Sequence, residues 1–149
     1  MKIEEEIRQE KFNSPYQKAV INLMYTCNLL LDAFKQVFRP FGITLPQYNV
    51  LKILKGKYPD AAYAGEVKRV MLDKSPDLTR LVDRLVEKGL ASRKLCEHNR
   101  RKVEIKITER GLKLLSDIEP VVMEFMGGMK HISDAESEEL SRLLDKLRG

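Results

Sequence analysis

Three observations predict a mainly α-helical chain with one small β element. Apolar residues recur at helical spacing through most of the 149 residues, the pattern switches to strict alternation just after Gly89, and hydroxyl, Pro and Gly residues stand where helices would begin and end. With 43% hydrophobic and 33% charged residues, the chain has the composition of a soluble globular protein, and its length suits a single domain over residues 1–149.

Charge is unevenly spread. From Lys68 to Lys113 there are 14 Lys and Arg against 7 Asp and Glu, a local +7, whereas the remainder holds 13 against 15. The middle third is therefore where a polyanion would dock. Nothing approaches the length of a membrane span, and the start Met1-Lys-Ile-Glu-Glu-Glu is too acidic for a signal peptide, so a cytoplasmic location and no membrane partner are expected. Cys27 and Cys96 stand far apart without CxxC spacing, which argues against a disulfide framework or a zinc site. His98 and His131 are the only histidines. No Gly-rich phosphate loop, Ser-His-Asp set or metal-ligand spacing accompanies them, so neither enzyme activity nor a cofactor or metal is expected.

Residues 1–13 read as a loose or partly helical arm. Ser14-Pro15 opens a long helix whose apolar face carries Val20, Leu23, Met24, Cys27, Leu30, Leu31, Phe34 and Val37 up to Pro40. At 1.5 Å per residue it runs about 36 Å, more than a small core requires, so part of that face needs another partner. After the Phe41-Gly42-Ile43 turn, Thr44 and Gln47 form a capping box that starts a second helix, with Tyr48, Leu51 and Leu54 inward and a stop at Gly56.

Val67, Val70 and Met71 mark a brief third helix. Beyond Asp73-Lys74, Ser75 as N-cap, Pro76 at the first helical position and Gly89 as the stop bound a fourth, whose stripe Leu78, Leu81, Val82 and Leu85 leaves Arg80 and Arg84 on the free side. Helix, tight connection, helix is a helix-turn-helix pattern. Leu90–Leu95 and Lys102–Ile107 then read as strands, with Val103, Ile105 and Ile107 on one face, and the tip from Cys96 to Arg101 makes the hairpin a wing. Thr108 caps the next helix, along Leu112, Leu115, Ile118, Val122, Phe125, Met126 and Met129, where Pro120 is expected to introduce a kink. Ser133 and Glu136 form a second capping box before a last helix with Leu140, Leu143, Leu144 and Leu147 inward.

The run Ile43-Thr-Leu-Pro-Gln-Tyr-Asn-Val-Leu51, followed by Leu78-Thr-Arg-Leu-Val-Asp-Arg-Leu85, Glu87-Lys-Gly-Leu90, Arg93, Asn99-Arg-Arg101 and Ile107-Thr-Glu-Arg-Gly111, resembles the MarR family of winged helix-turn-helix transcription regulators. That resemblance covers nearly the whole chain. It implies a winged helix-turn-helix lobe at 43–108, dimerisation helices at 14–39 and 109–149, and a homodimer reading a pseudo-palindromic operator in double-stranded DNA. It further implies a repressor modulated by a small aromatic effector, with Phe34, Phe38, Phe41, Tyr48 and Tyr63 as candidate pocket lining. A winged-helix module that binds protein and not DNA is the alternative.

The candidate DNA contacts are Lys74, Ser75, Asp77, Thr79, Arg80 and Arg84 at the recognition helix, with His98, Arg100 and Arg101 on the wing. Each has a plainer reading as a solvated surface charge, and Arg101 is divided between contact and bracing of the wing. Two positions depart from the family pattern. Asn99 stands where an acidic residue usually pairs with the second wing arginine, and Pro76-Asp77 stands where small hydroxyl residues are common. Asp77 would repel a phosphate, so it either faces a base edge such as a cytosine amino group or serves the helix dipole. Cys27, on the apolar face, is expected to be buried and inert; Cys96, near the wing tip, is expected to be more exposed.

Overall fold

The computed structural model describes residues 1–149, the side chain of Arg100 excepted. In chain order it contains α1 (Ile3–Glu6), α2 (Pro15–Phe38), a 3-10 turn (Arg39–Phe41), α3 (Leu45–Lys57), β1 (Ala62–Tyr63), α4 (Ala64–Val70), α5 (Leu78–Glu87), β2 (Ala91–Cys96), β3 (Asn99–Ile107), α6 (Glu109–Gly128) and α7 (Asp134–Arg148). This is the mainly α architecture with a small β wing that the pattern predicts.

Local chemistry accounts for most helix starts. Ser14 Oγ accepts from the Gln17 amide at 3.0 Å, and Thr44 and Gln47 satisfy each other's orphan amides. Thr108 Oγ1 accepts from the Gly111 amide at 3.1 Å, and Ser133 with Glu136 repeats the capping box at α7. Pro120 lies inside α6 without dividing it. The N-terminal arm is more ordered than its composition implies, since Ile3 is buried, Lys18 pairs with Glu4 and Tyr25 Oη donates to Glu6 at 2.7 Å.

One core lies beneath the helix-turn-helix and the sheet. Phe38, Val50, Leu51, Leu54, Val67, Val82, Leu85, Ile105, Leu115 and Ile118 have almost no exposed surface. Met71 joins them, but Val70 points outward and is 54% exposed. The sheet order is β1-β3-β2, antiparallel throughout, with Ala62 opposite Ile105 and Ala91 opposite Ile107. Ile105 and Ile107 face the core and Val103 is half-buried, as their alternation predicts.

Several expectations need correction. The wing strands are longer than they read: β3 begins at Asn99, so Arg100 and Arg101 sit in a strand and the turn shrinks to Glu97-His98. The register is irregular between Leu95 and Cys96, which brings Cys96 opposite Asn99 and leaves its thiol buried. Cys27 is exposed, because the face it shares with Leu23, Met24, Leu30 and Leu31 is itself uncovered in the single chain. The same holds for Leu140, Leu143 and Leu147 of α7.

The lobe closes at one corner. Gly89 takes φ +70°, a left-handed conformation that favours glycine, and ends α5 so that the Leu90 amide reaches Leu85 O at 2.9 Å. The Leu90 carbonyl accepts from the Thr108 amide at 3.1 Å, and Thr108 Oγ1 donates to Gly89 O at 2.6 Å. Gly111 lies directly over this carbonyl: a Cβ there would stand 2.3 Å from Leu90 O and 2.7 Å from Ile107 Cγ1. Gly111→Ala is expected to destabilise the fold by about 3 kcal/mol through overpacking. Urea denaturation measures this, and an unshifted midpoint would show that the corner yields freely.

Candidate nucleic-acid interface

Helix α5 has two unlike faces because its sequence places Leu78, Leu81, Val82 and Leu85 at i, i+3, i+4 and i+7, and all four are buried. Thr79, Arg80 and Arg84 are left in solvent, and the Arg80 side chain is 85% exposed. The axis of α5 is held from behind by Arg93 of β2, whose Nη1 lies 2.5 Å from Asp83 Oδ1. Both side chains are about two-fifths exposed, so this pair fixes an angle more than it stabilises the fold.

The entry to α5 differs from the expected Ser75-Pro76 start. Asp77 is the N-cap: its Oδ1 accepts from the amides of Thr79 at 3.0 Å and Arg80 at 3.4 Å, and Oδ2 lies 3.9 Å from Arg80 Nε. Ser75 is instead tied to Asp73, donating from its amide at 2.9 Å and its hydroxyl at 2.6 Å to the same Oδ1. These bonds, hydroxyl first, hold the Asp73 carboxyl below the usual carboxylate range. The contribution of this turn is therefore present at neutral pH and is lost as pH falls through that lowered value.

Of the two roles open to Asp77, the geometry shows the cap. Its carboxylate occupies the positive end of the helix, where a phosphate would otherwise bind, through Oδ1, while the side chain as a whole stays 61% exposed.

Three further side chains shape this region, and residue pattern alone misses all three. Asn49 Oδ1 of α3 accepts from the Leu72 amide at 3.0 Å. Lys68 Nζ donates to Lys74 O and Pro76 O, both at 2.6 Å. Lys88 Nζ reaches Gly42 O across the lobe. The Asp-Lys-Ser spacing at 73–75 is a legible Asx-turn signal; the two lysine contacts depend on the path of the folded loops and carry no local signature.

On the wing, His98 is exposed at the turn and Arg101 is exposed on β3. The side chain of Arg100 lies outside the described residues. Asn99 Oδ1 accepts from the Arg101 backbone amide at 3.1 Å, so Asn99 braces the strand and leaves the Arg101 guanidinium unengaged by it. The root of the wing is held by Lys94 opposite Glu104, 3.6 Å apart, and by Lys102 Nζ at 5.0 Å from the Tyr63 ring centroid.

Of the five aromatic residues expected to line an effector pocket, Phe34, Phe38 and Tyr48 pack against one another, and Phe41 lines a cavity of about 400 Å³ with Leu90 and Leu114. Phe38 is fully buried, stacked on Phe34 at 6.0 Å and tilted against Tyr48 at 4.7 Å, while Phe34 meets Phe125 edge-on. Tyr63 lies under Lys102, and Phe41 packs at the margin of the core. A groove of about 1680 Å³ opens elsewhere, between the second half of α2 and α5, and Cys27, Leu31, Lys35, Arg80, Arg84 and Lys88 are among its lining residues. Charged side chains share that groove with apolar ones, Leu31, Ile43, Leu45 and Leu72 among them.

No family model matches the chain. Solved structures do match it. A MarR transcription factor from Planctomyces limnophilus is 33% identical, with 91% of this chain and 98% of that one covered and a TM-score of 0.72. The chain belongs to the MarR family. A MarR-family regulator from Rhodococcus sp. RHA1 is 26% identical over 91% of this chain and 96% of that one, with a TM-score of 0.75. A mutant MarR from E. coli, solved complexed with operator DNA, is 27% identical over 85% and 91%, with a TM-score of 0.72. These MarR proteins are transcription regulators, which makes transcription regulation the class of this chain's activity. Among the described residues, no helix is long and apolar enough to cross a membrane.

The cap makes a separable prediction for this MarR chain. Asp77→Ala is expected to cost about 1 kcal/mol of stability, and Asp77→Asn only a few tenths, because asparagine caps as well as aspartate. Thermal denaturation of the two variants compares them, and equal losses would mean that Asp77 does not cap α5 in solution.

Proposed function

We propose that this MarR chain is a homodimeric, sequence-specific DNA-binding regulator, a repressor whose operator affinity falls when a small molecule binds. The observation that carries this reading is α5: one face anchored in the core, the other offering Thr79, Arg80 and Arg84 to solvent next to a braced wing. Such a helix suits a major groove, with arginines matching guanine edges or phosphates. Lys74, Ser75, His98, Arg100 and Arg101 complete the proposed contact set, and the E. coli MarR solved with operator DNA supports it by likeness.

Uncovered apolar surface supports dimerisation. Leu23, Met24 and Leu30 of α2, Met123 and Met126 of α6, and Leu140, Leu143 and Leu147 of α7 are all exposed in the single chain. Apolar exposure concentrated on three helices at the two ends of the sequence marks an interface. A second copy is the partner that closed symmetry favours. In that arrangement 14–39 and 109–149 are the dimerisation helices and 43–108 the DNA-binding lobe. The effector would occupy the groove between α2 and α5, where its lining includes both Arg80 and Arg84. Its effect on DNA is limited to its difference in affinity between the DNA-competent and incompetent states.

The DNA reading is tested with an operator selected from a random pool and binding measured by fluorescence anisotropy over a range of salt. Arg80→Ala is expected to weaken operator binding by about ten-fold or more and to lower the slope of log K against log salt by about 1.8 per dimer, if each Arg80 meets one phosphate, or to relax base preference if it meets a base. Unchanged affinity, slope and preference would assign the wrong helix. For the dimer, Leu143→Glu is expected to shift sedimentation from dimer to monomer at micromolar concentration, since burying an unpaired carboxylate costs several kcal/mol. A variant that still sediments as a dimer would exclude this face.

A further inference from the structure

We propose that Lys68 is a positioning residue for α5: its ammonium holds the main chain that leads into the recognition helix, and it does not itself meet DNA. Lys68 lies in the stretch with the local positive excess, where its simplest reading is one more phosphate contact. Its geometry says otherwise. From the last turn of α4 the side chain reaches past the end of its own helix, and Nζ donates to Lys74 O and Pro76 O at 2.6 Å each. Two of the three ammonium protons are thereby spent on carbonyls of the α4–α5 connection.

Those two carbonyls flank Ser75-Pro76 and immediately precede the cap at Asp77. Segment 71–77 carries no regular secondary structure of its own. Beyond Met71, whose amide donates to Val67 O, it is held at three points: the Leu72 amide on Asn49, Ser75 on Asp73, and the Lys74 and Pro76 carbonyls on Lys68. Of these, Lys68 alone grips the residue next to the cap. A hydrogen bond from a charged donor is among the stronger kind, and two on one ammonium fix direction as well as distance. With Pro76 O held, Asp77 is placed to receive the Thr79 and Arg80 amides, and the first turn of α5 is set before any DNA arrives.

The test uses the full-length protein as Lys68→Met, which keeps the chain length and removes the charge, and as Lys68→Arg, which restores a donor of different shape. Without DNA, hydrogen exchange at the Thr79 and Arg80 amides is expected to speed up about ten-fold in Lys68→Met, with Leu85 in the same helix unaffected and partial recovery in Lys68→Arg. With DNA, and resting on the function proposed above, operator affinity is expected to fall about ten-fold while non-specific duplex affinity and the salt slope stay at the wild-type values. A slope lower by about 1.8 per dimer would make Lys68 a phosphate contact and overturn the proposal. Equal loss of specific and non-specific binding with a lowered melting temperature would overturn it as a stability effect. Unchanged exchange at Thr79 and Arg80 would overturn it whatever the DNA result. If the wild type binds no duplex DNA, the function proposed above fails, and the exchange measurement still decides whether Lys68 sets the first turn of α5.

Discussion

The rest of the lobe depends on the close approach of Gly111 to the Leu90 carbonyl. At that point the end of α5, the start of β2, the end of β3 and the first turn of α6 meet, and the Leu90 carbonyl and Thr108 side chain join them by hydrogen bonds within 3.1 Å. A side chain at 111 would force α6 away from β2. The four residues Gly89, Leu90, Thr108 and Gly111 act together, because the left-handed Gly89 turns the chain so that Leu90 O can meet both Thr108 and Gly111. The angle between α5 and the wing is then set at one end by this corner and along its length by Arg93 on Asp83. A helix and a hairpin proposed to engage one duplex together need such a fixed relation, since misplacement by a fraction of a base step loses contacts on both.

How legible this was in the sequence depended on the range of the forces involved. The caps at Ser14, Thr44, Thr108 and Ser133 act within three residues, and the pattern of residues predicts each of them. The start of α5 does not yield to the same reasoning, because Ser75-Pro76 and Asp77 are both good starts on local grounds. The choice falls to Asp77 through contacts made over a longer range: Asp73 takes the Ser75 hydroxyl and amide, and Lys68 draws in the Pro76 carbonyl. The two cysteines fail for opposite reasons. Cys96 is buried by a register irregularity that no alternation pattern reveals, and Cys27 is exposed because the face it belongs to is apolar without being covered by its own chain. Periodicity identifies which residues share a face; it does not say whether the surface that covers that face belongs to the same molecule.

The aromatic residues show the same limit from the side of function. Phe34, Phe38 and Tyr48 lie on successive turns of α2 and at the start of α3, and rings placed so near one another gain more from contact than from lining an open space. Burial raises the pKa of the Tyr48 hydroxyl, as expected of a ring drawn into the core. The open groove carries Asp32, Lys35, Asp83, Arg84 and Glu87 beside its apolar residues. A ligand there would meet both charged side chains and apolar ones such as Leu31 and Ile43, and would lie against the helix proposed to read DNA.

Several cations of the middle third fall into two groups once partners are assigned. Lys68 is held by two carbonyls, Lys88 by Gly42 O, Arg93 by Asp83 and Lys94 by Glu104. These four cations position α5 and the wing. Lys74, Arg84 and Arg101 are exposed and make no ion pair among the described residues, and Arg80 has only a long contact to Asp77 at 3.9 Å. The local excess of positive charge therefore overstates what a polyanion can reach directly, because part of it is consumed in holding the remainder in place. That division shows how a modest net charge could support a directed interface: a few cations left in solvent, on a helix and wing that other residues hold in place, would lose little freedom on meeting a phosphate or a base.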